Sequence, residues 1–367
     1  MKKMTKQICL ILVLAMLSSI LLTGCGNSGN SASAGTNGAP SDSASASQDS
    51  GNYAPATDGG EIYTLKAGHS CTIEHPYHKG LEVLRDMLYE RSDHHIILEI
   101  YPSAQLGNES DLLEGEQLGT VDIAVTSAAP VVNFSPALAI LDLPYLFETK
   151  EQAFKVLDGE IGQEFWADLE KVGIKGLAFF DLGFMYMHTN STLVNEPSDL
   201  KGLKLRTMEN PIYQAFVNSC GATATPMAMG EVYTALQNNT VNGHVTCTAT
   251  TYTSKWYSVA EYLTHTDQIY STAPLTMSQK TFDKLPAEYQ QLLLECAADT
   301  CVEERKIVEQ VETEGEAQMV AEGCIISPRE DVNIEAYKQI AYDEVWPKYI
   351  GTTVDADLVT RIQALIA

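Results

Sequence analysis

From Glu61 onward the apolar positions fall alternately into short β-period runs and helix-period stripes. "EIYTLKAG" alternates as a strand. "PYHKGLEVLRDMLYERS" places Leu81, Leu84, Met87 and Leu88 at helical spacing. "HHIILEIYP" predicts a second strand, "ESDLLEGEQLG" a helix and "TVDIAVTS" a strand with an apolar centre. Further on, "KVGIKGLAFFDLG" and "LKGLKLRTM" predict strands, and "PIYQAFVNSCG" and "GEVYTALQNN" predict helices. The β-α-β order implies parallel or mixed sheets covered by helices, with ligands at the carboxyl ends of strands. A stretch from about Pro286 to Gly323 has only Gly315 as an internal breaker, and Leu293, Ala297, Thr300, Cys301, Ile307, Val308 and Val311 mark its apolar stripe. As one helix it extends roughly 50 Å, long enough to brace two domains, with a break near Gly315 as the alternative.

The N-terminus has a different pattern. Basic "MKKMTK" precedes the apolar run "ICLILVLAMLSSILL" and then "LLTGC", which predicts a signal peptide over residues 1–24. Small residues before Cys25 resemble a bacterial lipobox, implying cleavage there, acylation of Cys25 and anchoring to the outer face of the cell membrane. Residues 25–60 are rich in Gly, Ser, Ala, Asn and Asp, too poor in apolar side chains to fold, and are expected to form a flexible tether.

The 367 residues, 45% of them hydrophobic, suffice for two domains, and the formal net charge of −25 argues against nucleic-acid partners. Six cysteines beyond Cys25 lie without paired spacing, which points to a reducing habitat or to one or two incidental bridges. No CxxC or HxxxH supports a metal site, no cofactor motif is present, and the absence of GxSxG, P-loop, GxGxxG and HExxH argues against an enzyme. Arg206 is the only arginine between Arg91 and Arg305, in an apolar segment of an acidic chain. It faces either a structural acid or a ligand carboxylate, which guanidinium grips through parallel N–H donors as lysine cannot.

"LDLPYLFETKEQAFKVLDGEIGQEF", "DLKGLKLRTMENPIYQAFVNSCGATATPMAMGEVYTALQNNTVNG" and the long helix, taken in order and spacing, resemble the extracytoplasmic solute-binding proteins of tripartite ATP-independent periplasmic (TRAP) transporters, dicarboxylate-binding type. The similarity runs from about Leu65 to the C-terminal end. It implies an α/β fold: a two-lobed clamp like that of periplasmic binding proteins, with mixed sheets flanked by helices and a long C-terminal helix bracing both lobes. Lobe I is expected over residues 61–182 plus 272–311, and lobe II over 183–271 plus 312–367. The implied protein is a monomer that captures a small organic acid and hands it to a membrane permease driven by an ion gradient. The rival reading is a ligand-binding lipoprotein of an ATP-driven importer or of a sensor kinase.

The resemblance also implies site residues. Arg206, ending "GLKLR", matches the arginine that holds the ligand carboxylate. A second family arginine is replaced by Met185, implying a ligand with one anchored carboxylate, with Tyr186 or His188 offering a neutral hydrogen bond instead. Thr246 stands where an asparagine often contacts ligand and Met229 where a phenylalanine often covers it; each lines the pocket or simply packs. His69 matches a frequent ligand-facing position, with Glu74, His75 and Tyr77 at the start of the next helix. Ser127, after "VDIAVTS", is a pocket candidate on strand geometry, and Trp256 and Tyr252 are either aromatic walls or helix packing.

Overall fold

The computed structural model describes residues 53–367; the expected signal peptide, Cys25 and most of the expected tether lie outside the described residues. Residues 53–58, expected in the tether, contact the helix Pro76–Arg91 and the turn beyond it, where Ala56 N donates to His94 O and Asp58 meets His95. Tyr53 packs edge-on against Tyr89 at 4.9 Å and lies under the Arg85 guanidinium, and Tyr89 donates to Ala54 O at 2.8 Å. An aromatic ring at position 53 thus ends the low-complexity stretch earlier than composition suggests.

Nine strands among the described residues form one mixed sheet in the order β2-β1-β3-β8-β4-β7-β5-β6, with β9 beside β8. They are β1 Tyr63–Gly68, β2 Ile96–Tyr101, β3 Ile123–Val125, β4 Ile174–Thr189, β5 Lys204–Thr207, β6 Thr223–Pro226, β7 Gly243–Thr246, β8 Tyr262–Ser278 and β9 Ile325–Ser327. The two long antiparallel strands, β4 and β8, join two halves. The parallel set β2-β1-β3 attaches where Ile123 pairs Met277, whereas the parallel set β7-β5-β6 attaches where Thr189 pairs Gly243. Midway, the ladder shifts register between Asp181 and Gly183 and again between Met185 and Met187, and Gly183 takes a positive φ of 90° that favours glycine. This is the expected two-lobed α/β clamp, with each half built on its own parallel strands.

The helix Ala287–Ala321 runs unbroken through Gly315. No break occurs there because the glycine serves packing: a Cβ on it would lie 2.8 Å from the Tyr252 ring. The helix packs against Pro76–Arg91 and β4 on one side and against Thr248–Thr253 on the other, so it spans both halves of the sheet. It is not the last element. The helix Ala356–Ile366, grouped with lobe II on sequence, returns to the segment 150–164, where Lys155 Nζ donates to Leu365 O at 2.6 Å and Arg361 pairs with Glu164. All six cysteines among the described residues are free thiols, five of them buried.

Candidate functional site

Arg206 lies on β5, between Thr225 of β6 and His244 of β7, at the carboxyl end of a parallel strand. The chain then turns through "TMEN" into the helix Pro211–Ser219. Asn210 caps this helix by accepting from Ile212 N and Tyr213 N at 2.9 and 3.1 Å, and Pro211 occupies the first turn. Asn210 Nδ2 also reaches across to Asp142 Oδ2 at 2.7 Å and Ala129 O at 3.1 Å, tying the strand end to the other half of the molecule.

The Arg206 side chain is 4% exposed. Its Nε and Nη2 donate to one acceptor, Met227 O, at 3.1 and 2.9 Å, and its guanidinium lies 5.7 Å from the centre of the Trp256 ring. Burial lowers its pKa to about 10, opposed by the fields of Glu109 and Glu209, so it remains cationic at neutral pH. Neither acid forms an ion pair with it, which sets aside a structural acid as its partner.

The guanidinium lines an outer cleft of about 290 Å³ and an inner recess of about 30 Å³, which share Glu109, Met208, Met229 and Trp256 with it. Glu109 opens the helix Glu109–Leu118, which Asn108 caps. Its carboxylate accepts from Ser127 N at 2.8 Å and from Ser127 Oγ at 2.7 Å, and burial raises its pKa above the ordinary glutamate value. Ser127 emerges beyond β3 as expected, but its hydroxyl is engaged with Glu109. Met229 spans the cleft, its sulfur 3.7 Å from both Ser70 Oγ and Cys71 Sγ. Thr246, at the end of β7, lines the recess with Thr250 and Tyr77. The Tyr77 side chain is 1% exposed and its hydroxyl has no hydrogen-bond partner.

The structure therefore brings Arg206, Ser127, Met229, Thr246 and Trp256 together around the cleft and its recess, and leaves four other sequence candidates, His69, Met185, Tyr186 and Tyr252, outside them. His69 is fully buried behind the wall, with Nε2 3.0 Å from His78 Nδ1. Met185 is a core residue paired with Ile269 of β8, and Tyr186 rests on the His265 ring at 4.4 Å. The register shifts in β4 redirect its side chains, and Leu182 is the β4 residue that reaches the recess. Tyr252 is committed to the long helix at Gly315. Sequence reasoning missed Glu109 and Met208. Glu109 has the signature of an ordinary first-turn acid favoured by the helix dipole, and nothing local shows that it turns inward. Among the described residues no group of three His, Cys, Asp or Glu is placed to hold a metal ion.

The model of the bacterial extracellular solute-binding protein family 7 matches residues 67–352. A solute-binding protein of Verminephrobacter eiseniae is 40% identical over 62% of this chain and 68% of its own length. The 2,3-diketo-L-gulonate-binding periplasmic protein of Escherichia coli is 31% identical over 67% of this chain and 75% of its own. A crystal structure of a TRAP periplasmic solute-binding protein from Polaromonas, bound to D-erythronate, superposes with a TM-score of 0.77 at 32% identity, covering 83% of this chain and 98% of that one. These proteins are extracytoplasmic and bind solutes for transport without transforming them. A clamp with an unpaired buried arginine at a strand's carboxyl end, matched across most of its length, thus belongs to the bacterial extracellular solute-binding proteins of family 7.

Proposed function

We propose that the protein captures a small organic acid through a single carboxylate held by Arg206 and delivers it to an ion-gradient-driven TRAP permease, while anchored to the membrane by lipid on Cys25. The observation that carries this reading is the guanidinium itself: a buried cation at the cleft, with Nε and Nη2 fixed by Met227 O and Nη1 free of hydrogen bonds to described residues. The carbonyl pre-orients the fork, and a carboxylate arriving in the cleft supplies the counter-charge that the protein leaves out. Trp256 supports the guanidinium face, and Met229, Thr246 and Ser127 contribute to the wall. The E. coli relative is named for a keto sugar acid and the Polaromonas protein holds an aldonate, both small oxygenated acids. Their likeness supports the same broad ligand class here. Arg206 is the only cationic side chain lining the cleft and the recess among the described residues, which supports one anchored carboxylate.

Arg206→Lys keeps the charge but loses the planar fork. It should weaken binding of the best organic acid by roughly 30- to 150-fold, the equivalent of about 2–3 kcal/mol, with an unchanged circular dichroism spectrum. Calorimetry gives the affinity; equal affinity in the variant removes Arg206 from the carboxylate-binding role.

A further inference from the structure

We infer that Glu109 sets the specificity of this cleft, accepting a hydroxyl from the bound solute and repelling a second carboxylate, so that the ligand is a hydroxylated monocarboxylate. The inference rests on the reading of Arg206 as the carboxylate anchor and assigns what faces that anchor.

Two charges of opposite sign line both the cleft and the recess, yet they do not pair. Glu109 spends one lone pair of each oxygen on Ser127, taking its N–H at 2.8 Å and its O–H at 2.7 Å. Those two bonds fix the carboxylate plane and leave its remaining acceptor positions for other donors. Beside it Tyr77, 1% exposed, lines the recess, and its buried hydroxyl has no hydrogen-bond partner among the described residues. A buried hydroxyl of that kind is costly to leave unsatisfied, and its presence points to a polar group of the ligand. Thr246 adds a hydroxyl to the recess, whereas that of Thr250 is engaged with His75 Nε2 at 3.1 Å and Cys247 Sγ at 3.2 Å, and Met208 and Met229 complete the lining. A solute whose carboxylate meets Arg206 therefore lies in the cleft of about 290 Å³ with its carbon chain beside Glu109, and the recess of about 30 Å³ has room for one small group near Tyr77 and Thr246. The solute's hydroxyls can donate to Glu109 and exchange hydrogen bonds with Tyr77. A second carboxylate there meets Glu109 at close quarters in a poorly hydrated site, with Glu209 adding the same sign at the cleft mouth. Rejection of diacids thus comes from a repulsive element as well as from the lack of a second arginine.

Three four-carbon probes separate these effects: D-erythronate, meso-tartrate, which replaces its terminal CH2OH by a carboxylate, and butyrate, which lacks hydroxyls. Longer aldonates and their matched aldarates extend the series. Calorimetry on the full-length mature protein should show an aldonate binding at least 100-fold tighter than its aldarate or the unsubstituted acid. Glu109→Gln, which can still accept from Ser127, should reduce the aldonate-to-aldarate ratio to below tenfold. Tyr77→Phe should weaken the aldonate severalfold and leave butyrate unchanged. Arg206→Lys should weaken every acid alike and preserve the ratio. If the ratio is unchanged in Glu109→Gln while Arg206→Lys weakens binding, the assignment of Glu109 is overturned and the anchor survives. Wild-type protein that binds an aldarate as tightly as its aldonate, or no aldonate at all, also overturns the inference. An Arg206→Lys protein with wild-type affinity overturns the anchor itself.

Discussion

A residue's electrostatic role in this protein is decided by which of its partners are buried with it. Asp142 is 1% exposed and accepts at 2.7 Å from Nδ2 of Asn210, the cap residue three positions beyond Thr207 on the Arg206 strand, with the Tyr213 side chain also acting on it. Burial raises its carboxyl to about 7 from 3.8. A raised folded-state pKa gives stability that is complete below about pH 4 and is lost as pH rises toward 7. Asp142→Asn removes that loss, so the variant should gain on wild type by up to about 4 kcal/mol between pH 4 and 7, as measured by urea midpoints across that window. A constant difference across the window would show that Asp142 does not titrate there. At this scale Arg206 was legible in the sequence because a solitary guanidinium in an acidic, apolar context demands an explanation. Glu109 was not, because one acid among 48 at a helix start carries no mark of its inward turn. Met185 illustrates the opposite limit: its alignment position implied a pocket residue, but backbone irregularities decide which side of a strand faces a cavity.

At the scale of elements, the short strands and amphipathic helices were readable from their periods, and the two longest strands were not read to their ends. β4 continues to Thr189 and pairs along most of its length with β8, a 17-residue strand that no alternating pattern announces. β8 contains Pro274 and is buried on nearly every residue, so it lacks both the alternation and the composition of an ordinary strand. Its register comes from β3, β4 and β9, which are distant in sequence. The long helix was legible as a stripe, but Gly315 looked like a weak point. In the structure it is the place where the Tyr252 ring approaches the helix backbone. Gly315→Ala adds about 1 kcal/mol of helix propensity and a Cβ 2.8 Å from that ring. Overpacking of this kind costs about 1–3 kcal/mol, so the variant should be destabilised overall, with Tyr252→Ala partly restoring it in the double variant. A Gly315→Ala protein more stable than wild type in urea would show that the ring yields freely.

For the molecule as a whole, charge and attachment belong together. With a formal net charge of −25 the chain is repelled by anionic headgroups, so the attachment proposed above draws nothing from electrostatic attraction and rests on the lipid expected at Cys25. Cys25→Ala should move the protein from the membrane fraction into the soluble extracytoplasmic fraction of expressing cells, while leaving acid binding intact. Wild-type protein that takes up no more labelled fatty acid than Cys25→Ala would exclude the lipid anchor. The order of the short strands and helices, the acidic composition and the choice of Arg206 as the candidate anchor were carried by local pattern, because periodicity, charge and a lone cation are properties of short stretches. The joining of the halves through β4 and β8, the return of the C-terminal helix to the first half and the confrontation of Arg206 with Glu109 and Tyr77 came only from the tertiary structure. Each depends on residues about 70 to 210 positions apart, and no local preference records which distant surface a side chain will meet when the chain is folded.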